Sequence, residues 1–222
     1  MKKIIVILLL LTFSFYQAQN KQELFLSVGK PTFEDKWINK KNFSIGTHYL
    51  HKTFKSFSFE GYLEYAQSNN LPSFLDNPLS LDKFIKNQTT ASIRENTLWS
   101  KINYVAFGTK VHYTFINTDN FFFSFFGGLG YQFSNSEIFT LSRFGFIQDT
   151  GEITEFDSSI RKESEKSFFT TIGLRFSYAI QKKYTLGLVA NLHRPIISEA
   201  ALVNAPLITT NYNLGITLGK QF

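Results

Sequence analysis

Along most of this chain, large apolar residues and small or polar residues take turns at every second position, with polar or turn-forming stretches between the runs. A period of two puts the two sets on opposite faces of a strand. In residues 42–50, Phe43, Ile45, Thr47 and Tyr49 alternate with Ser44, Gly46 and His48. The run after it sets Phe57, Phe59, Leu63 and Tyr65 against Ser58, Glu60, Tyr62, Glu64 and Ala66. In 99–115, Val105, Phe107, Val111 and Tyr113 face away from Tyr104, Ala106, Gly108, Lys110 and His112. Phe121, Phe123, Phe125, Leu129, Tyr131 and Phe133 lead the next run, and Phe168, Ile172, Leu174, Phe176 and Tyr178 the one after. Tyr184, Leu186, Leu188 and Leu192 then oppose Thr185, Gly187, Asn191 and His193. The final run sets Tyr212, Leu214, Ile216, Leu218 and Phe222 against Asn213, Gly215, Thr217 and Gly219. With a first strand at 23–29, carrying Leu24, Leu26 and Val28, the pattern predicts eight strands.

The connections between them alternate in length. Residues 51–55, Asn117-Thr118-Asp119-Asn120 and Gln181-Lys182-Lys183 are short turns, whereas 30–41, 67–98, 135–165 and 194–206 are long. Within 67–98 a helical turn or two is expected at 81–86. Within 135–165, the most charged part of the chain, Asp149-Thr150-Gly151 reads as the tip of a hairpin. Regular alternation of short and long connections is the layout of an all-β, antiparallel, up-and-down transmembrane barrel. Eight strands leave little interior room for so many Phe rings. The faces fit if the barrel is inverted, with the apolar side toward lipid and the small or polar side toward the lumen. Closure into a ring also satisfies every backbone hydrogen bond, as a hydrocarbon environment demands.

Composition sharpens this picture. Among 222 residues there are 26 Phe and 10 Tyr, and membrane barrels place such residues in girdles at both interfaces. With no Cys, the chain has no disulfide framework, thiolate metal site or cysteine nucleophile. At the N-terminus, Lys2 and Lys3 precede an apolar stretch at 4–16, and Ala18 is a cleavage residue, so 1–18 reads as an export signal. That apolar core is too short to span, which takes about 20 residues. Residues 19–222 are then the barrel, with 21 basic against 17 acidic side chains once Lys2 and Lys3 are gone. The excess is scattered and forms no basic stripe, which speaks against a nucleic-acid partner.

The last run, with Tyr212, Leu214, Ile216 and Leu218 leading to a terminal Phe222, resembles the C-terminal signature of bacterial outer-membrane β-barrels. Over 19–222 the chain resembles the small eight-stranded OmpA-like or PorT-like barrels of Gram-negative bacteria. The resemblance implies a multi-pass barrel in the outer membrane, surrounded by outer-membrane lipid and lipopolysaccharide. It also implies that the barrel-assembly machinery reads the closing strand. The OmpA-type periplasmic peptidoglycan-binding domain is not expected here, since the sequence ends at Phe222.

Candidate chemistry lies on the inward face. Glu60, Lys110 and Arg175 share inward parity at similar heights, with Glu64 and His112 nearby and Glu23 near the base of the first strand. Charges confined in a narrow lumen must pair, so these residues predict a luminal charge network that plugs and stiffens the barrel. The alternative is a small channel or ligand-binding barrel, porin-like in kind. A third reading, a lipid-modifying hydrolase, would use His48, His51, His112 or His193 with a serine such as Ser198. The His-x-Ser-Asn pattern of outer-membrane deacylases is absent, since His193 is followed by Arg194-Pro195 and points inward by parity. No spacing suggests a metal or cofactor, and Gly127-Gly128-Leu129-Gly130 reads as a site of close packing rather than a phosphate loop. Trp37, Phe74, Phe84, Trp99, Phe139, Phe144 and Phe156 lie in or near long segments, where an envelope protein partner would bind. The sequence therefore predicts a non-enzymatic structural or accessory component of the cell envelope.

Overall fold

The computed structural model describes residues 22–33, 41–53, 56–72, 75, 92–93, 97–147, 150, 152–181, 183–198 and 210–222. Nine strands are found among them: β1 (Gln22–Phe33), β2 (Phe43–Lys52), β3 (Phe57–Asn69), β4 (Ser92–Ile93), β5 (Thr97–Asn117), β6 (Phe121–Phe146), β7 (Ile153–Ile180), β8 (Tyr184–Ser198) and β9 (Asn211–Gln221). All pairings are antiparallel. The order β6-β5-β3-β2-β1-β9-β8-β7, with β7 returning to β6, closes eight of them into an up-and-down ring. The two-residue β4 is an addition to the far end of β6.

The ring is held at its seam by eleven paired positions between β1 and β9, from Glu23↔Gln221 to Phe33↔Asn211. Beyond them the Phe222 amide donates to the Gln22 carbonyl at 2.9 Å. Two prolines sit where a missing N–H does least harm. The ladder of β1 with β2 stops at Gly29↔Ser44, just before Pro31. Pro195 in β8 faces an irregularity between Phe168 and Phe169 of β7.

The side chains are arranged inside out relative to a soluble barrel. Leu24, Leu26, Val28, Ile45, Leu63, Leu129, Ile172, Leu188, Leu214 and Ile216 are exposed on the outer wall. Glu60, Glu64, Lys110, His112, Arg175 and His193 are buried within. Outward aromatics meet across neighbouring strands near both ends. At the short-turn end Phe57 packs on Tyr113 at 5.2 Å and Phe121 on Tyr178 at 5.0 Å. Toward the other end Phe43 packs on Tyr65 at 5.8 Å and Tyr131 on Phe168 at 4.8 Å. From Phe168 to Tyr178 along β7, ten residues of strand tilted at about 45° climb roughly 24 Å. An outer-membrane barrel carries an apolar band about 25 Å tall.

The structure departs from the sequence reading mainly at the long-connection end. Residues 135–165, expected as an insertion carrying one small hairpin, are mostly continuous ladder. β6 and β7 stay paired from Asn135↔Ser164 to Phe146↔Ile153, interrupted by irregularities after Leu141 and Gly145. The thirteen residues of β6 after Phe133 amount to roughly 40 Å of strand. On its face Phe139, Leu141 and Phe144 are buried under Leu71, Leu75, Trp99 and Phe146. The first strand likewise runs on to Phe33, the third to Asn69 and β8 to Ser198. The helical turn expected at 81–86, the signal at 1–18, Trp37, Phe74, Phe84, and most of the connections at 67–98 and 194–206 lie outside the described residues.

Candidate functional site: the barrel interior

Glu60 is the hub of the lumen. On β3 it lies directly opposite Lys110 of β5 and next to Leu50 of β2. Inward residues two positions away on those strands, His48 and His112, are therefore its diagonal neighbours, within reach of long side chains. All three engage it. Lys110 Nζ donates to Glu60 Oε1 at 2.7 Å, His48 Nδ1 lies 2.9 Å from the same oxygen, and His112 Nε2 lies 2.7 Å from Oε2. The cluster is extended by Ser27 Oγ, 2.8 Å from His48 Nε2, and by Ser124 Oγ, 3.3 Å from His112 Nδ1. The Lys110 ammonium also sits over the Tyr62 ring at 4.2 Å and the Phe126 ring at 5.0 Å. Glu60 and Lys110 are each 2% exposed, so the charges meet one another rather than water.

Arg175 is not part of that cluster. Its guanidinium instead grips Glu23 of β1 with both terminal nitrogens, Nη2 to Oε1 at 2.5 Å and Nη1 to Oε2 at 3.3 Å. Thr185 Oγ1 donates to the same carboxylate at 2.5 Å. A planar fork matched to a carboxylate is the strongest arrangement open to Arg, and Glu23 offers both oxygens. The two clusters touch through Phe25, whose ring lies 3.8 Å from the Arg175 guanidinium and 4.5 Å from the stacked His48 imidazole.

Glu64, placed by parity with the charge network, makes no salt bridge among the described residues, although it lies within the field of Lys110. It lies one turn of the pleat beyond Tyr62, at a level where hydrogen-bond donors rather than cations converge. Tyr104 donates to Glu64 Oε1 at 3.2 Å and Asn213 Nδ2 does so at 3.5 Å. Around and beyond it, Phe33, Tyr62, Ala66, Ile102, Tyr104, Ala106 and Phe169 form an apolar plug. Among the described residues the interior is thus layered, with the charge clusters at one level and the apolar plug at the next. The cavity between Glu60, Glu64, Lys110 and Arg175 measures about 10 Å³, and one near Lys52, Ser58 and Ser177 about 20 Å³. A single water needs about 10–15 Å³.

Other sequence candidates find their places. His193 is completely buried, stacked on Phe169 at 5.0 Å with Nε2 at 3.0 Å from Asn191 Nδ2. It therefore faces away from the outer wall, where a lipid substrate would lie. Tyr212, Leu214, Ile216 and Leu218 all project outward from β9, and Phe222 is 63% exposed beyond its end. Gly128 and Gly130 stand opposite Lys110 and Gly108 where β5 and β6 approach closely. His48 and Glu23 are full members of the interior clusters, which their sequence context underweights. Inward parity is the available signal for them, and cross-strand register is what it lacks.

No family model matches the sequence, and no curated protein does. Solved structures do match it in shape. The attachment invasion locus protein Ail of Yersinia pestis superposes with a TM-score of 0.51 at 8% identity, covering 92% of this chain and 100% of that one. A major outer membrane protein from Thermus thermophilus gives a TM-score of 0.55 at 10% identity, again over 92% of this chain and 100% of its own. With its closed ring, its inverted faces and these structural neighbours, the chain has the fold of the small eight-stranded outer-membrane β-barrels.

Proposed function

We propose that this protein is a non-enzymatic outer-membrane barrel of a Gram-negative bacterium, a closed anchor that holds the β6–β7 hairpin outside the bilayer for an envelope partner. The observation that carries the reading is the filled interior. Two carboxylate–cation clusters, centred on Glu60 and Glu23, and the apolar plug around Tyr104 and Phe169 occupy the lumen. The spaces found among the luminal charges, about 10 and 20 Å³, have no room for a hydrated ion. Apolar outer walls, aromatic girdles and a predicted export signal support the location. The short-turn end and both chain ends then face the periplasm, and the hairpin faces outward.

Purified protein inserted in a planar bilayer provides the test. The expected trace is flat under applied voltage in neutral buffer. Reproducible unitary conductance steps would overturn the closed-anchor reading in favour of a small channel.

A further inference from the structure

β7 outlasts its neighbour on one side. Its ladder with β8 ends at Ser167↔Ser198, whereas its ladder with β6 runs on to Phe146↔Ile153. Among the described residues, β7 from Glu155 to Ser164 is therefore paired on one side only. Such an edge leaves a row of N–H and C=O groups bare and is a template for another strand. Both faces of the segment are open as well, since every residue from Ile153 to Lys162 is exposed.

Two apolar side chains stand on this edge. In register Ile160 lies opposite Phe139 and Phe156 opposite Phe144, with the Phe156 and Phe144 rings 6.0 Å apart. Phe139 and Phe144 are buried together with Leu141, whereas Phe156 and Ile160 are 45% and 54% exposed. They form the uncovered margin of that cluster. The charges have an order of their own, with Glu155 and Asp157 toward the tip and Arg161 and Lys162 toward the barrel. Laid antiparallel against itself, the acidic half of the segment meets the basic half.

We propose that two copies of this protein pair along this edge, antiparallel, about a twofold axis through Ser158. Glu155 of one copy then stands opposite Arg161 of the other, and Phe156 opposite Ile160. Each contact occurs twice, as a symmetric interface requires. The Phe156–Ile160 pairs cover the margins of both buried clusters. Within one chain Glu155 already meets Arg143 at 3.4 Å, and Arg161 meets Glu163, all in solvent-exposed pairs. Pairing joins them into a row of alternating sign, Arg143–Glu155–Arg161–Glu163, that crosses from one copy to the other. A slip by two residues is the smallest that keeps the faces matched. In one direction it sets Glu155 against Glu163, and in the other Asp157 against itself.

Strand direction decides where the second copy stands. In every copy β7 runs from the hairpin tip to the short-turn end at Ile180. An antiparallel pair of β7 edges therefore points the two barrels in opposite directions, so they occupy facing membranes rather than one. The inference rests on the reading that the hairpin stands outside the bilayer, and it names a second copy as the partner held there. One strand-to-strand contact is slight beside a stable interface of about 1,200–2,000 Å². Facing membranes present many copies at once, and linked contacts multiply.

Vesicles reconstituted by detergent removal, which leaves barrels in both orientations, test the pairing. Two batches dyed in different colours are mixed, and the coincidence of the colours is counted. The unaltered protein should bring the batches together. Arg161→Glu in both batches, or Glu155→Arg in both, sets like charges at both contacts and should lower coincidence roughly tenfold. One batch of each variant restores both ion pairs and should restore the tethering. Dispersed vesicles from the unaltered protein, tethering indifferent to either variant, or no recovery in the mixed pair overturns the pairing. The gel shift of unheated protein and proteolysis of the hairpin from outside separate the two levels of the argument. A barrel that inserts with a cleavable hairpin but leaves the vesicles dispersed overturns the pairing alone. A protein that fails to insert, or whose hairpin is shielded once inserted, overturns the membrane reading and the pairing with it.

Discussion

Glu60 accepts from one ammonium and neighbours two imidazoles, all inside a wall of outward-facing hydrocarbon. Removing one partner from such a group leaves a charge that the interior cannot solvate, at about 3–5 kcal/mol. Glu60→Gln and Lys110→Met are each expected to destabilise the barrel in this range. Combined, they should cost less than their sum by about 0.5–3 kcal/mol, because the second change removes the charge that the first one stranded. Urea unfolding in lipid vesicles measures the cycle, and strict additivity would show that the two side chains do not interact. Parity alone places Glu60, Lys110, His112 and Arg175 on the inner face. It cannot say that Arg175 turns to Glu23, because that choice depends on which residues face one another across the lumen. Register and strand tilt set that, and neither is written in the alternation of a single strand.

At the scale of the strand, the packing of the interior against β6 depends on a residue without a side chain. A methyl group on Gly130 would meet the Phe169 ring and the Tyr62 hydroxyl, each at 2.5 Å. On the outward Gly61 it would meet nothing within 4 Å. Gly130→Val is therefore expected to cost about 1–3 kcal/mol by overpacking. Gly61→Ala should be neutral, or stabilising by up to about 1 kcal/mol, since Ala loses less chain entropy than Gly in a strand. Equal losses at the two positions, in the same unfolding assay, would contradict the packed interior. Strands are legible in the sequence wherever one face meets hydrocarbon and the other the lumen, because that contrast creates the period of two. Past Phe133 the contrast ends. Asn135, Ser136 and Glu137 on β6, and Glu163, Ser164 and Glu165 on β7, form the same ladder with polar residues on both faces. Backbone pairing continues there without leaving a mark in the pattern, so all of the hairpin except the stretch around its tip reads as a loop.

For the whole molecule, the outer wall is a solvent-matching surface, and its tolerance for charge depends on depth. Leu188, outward on β8 between Phe176 and Ile216, is 60% exposed. Leu188→Lys should destabilise the inserted barrel by about 2–4 kcal/mol if the position lies near the bilayer midplane. A loss below about 1 kcal/mol in vesicle unfolding would place it at an interface instead and shift the whole band. The seam has a consequence of another kind. Glu23 meets Gln221, and Leu26 meets Leu218, so the contacts that complete the ring join the most distant parts of the sequence. Folding is thereby committed to very high contact order and is intrinsically slow. Synthesis cannot shape the barrel piece by piece. Until β9 arrives, β1 keeps a bare row of amides and carbonyls that would pair with any other chain at hand. A prematurely terminated product would be an open, adhesive sheet rather than a smaller barrel, and the chain must be kept unfolded and escorted until its final strand is available.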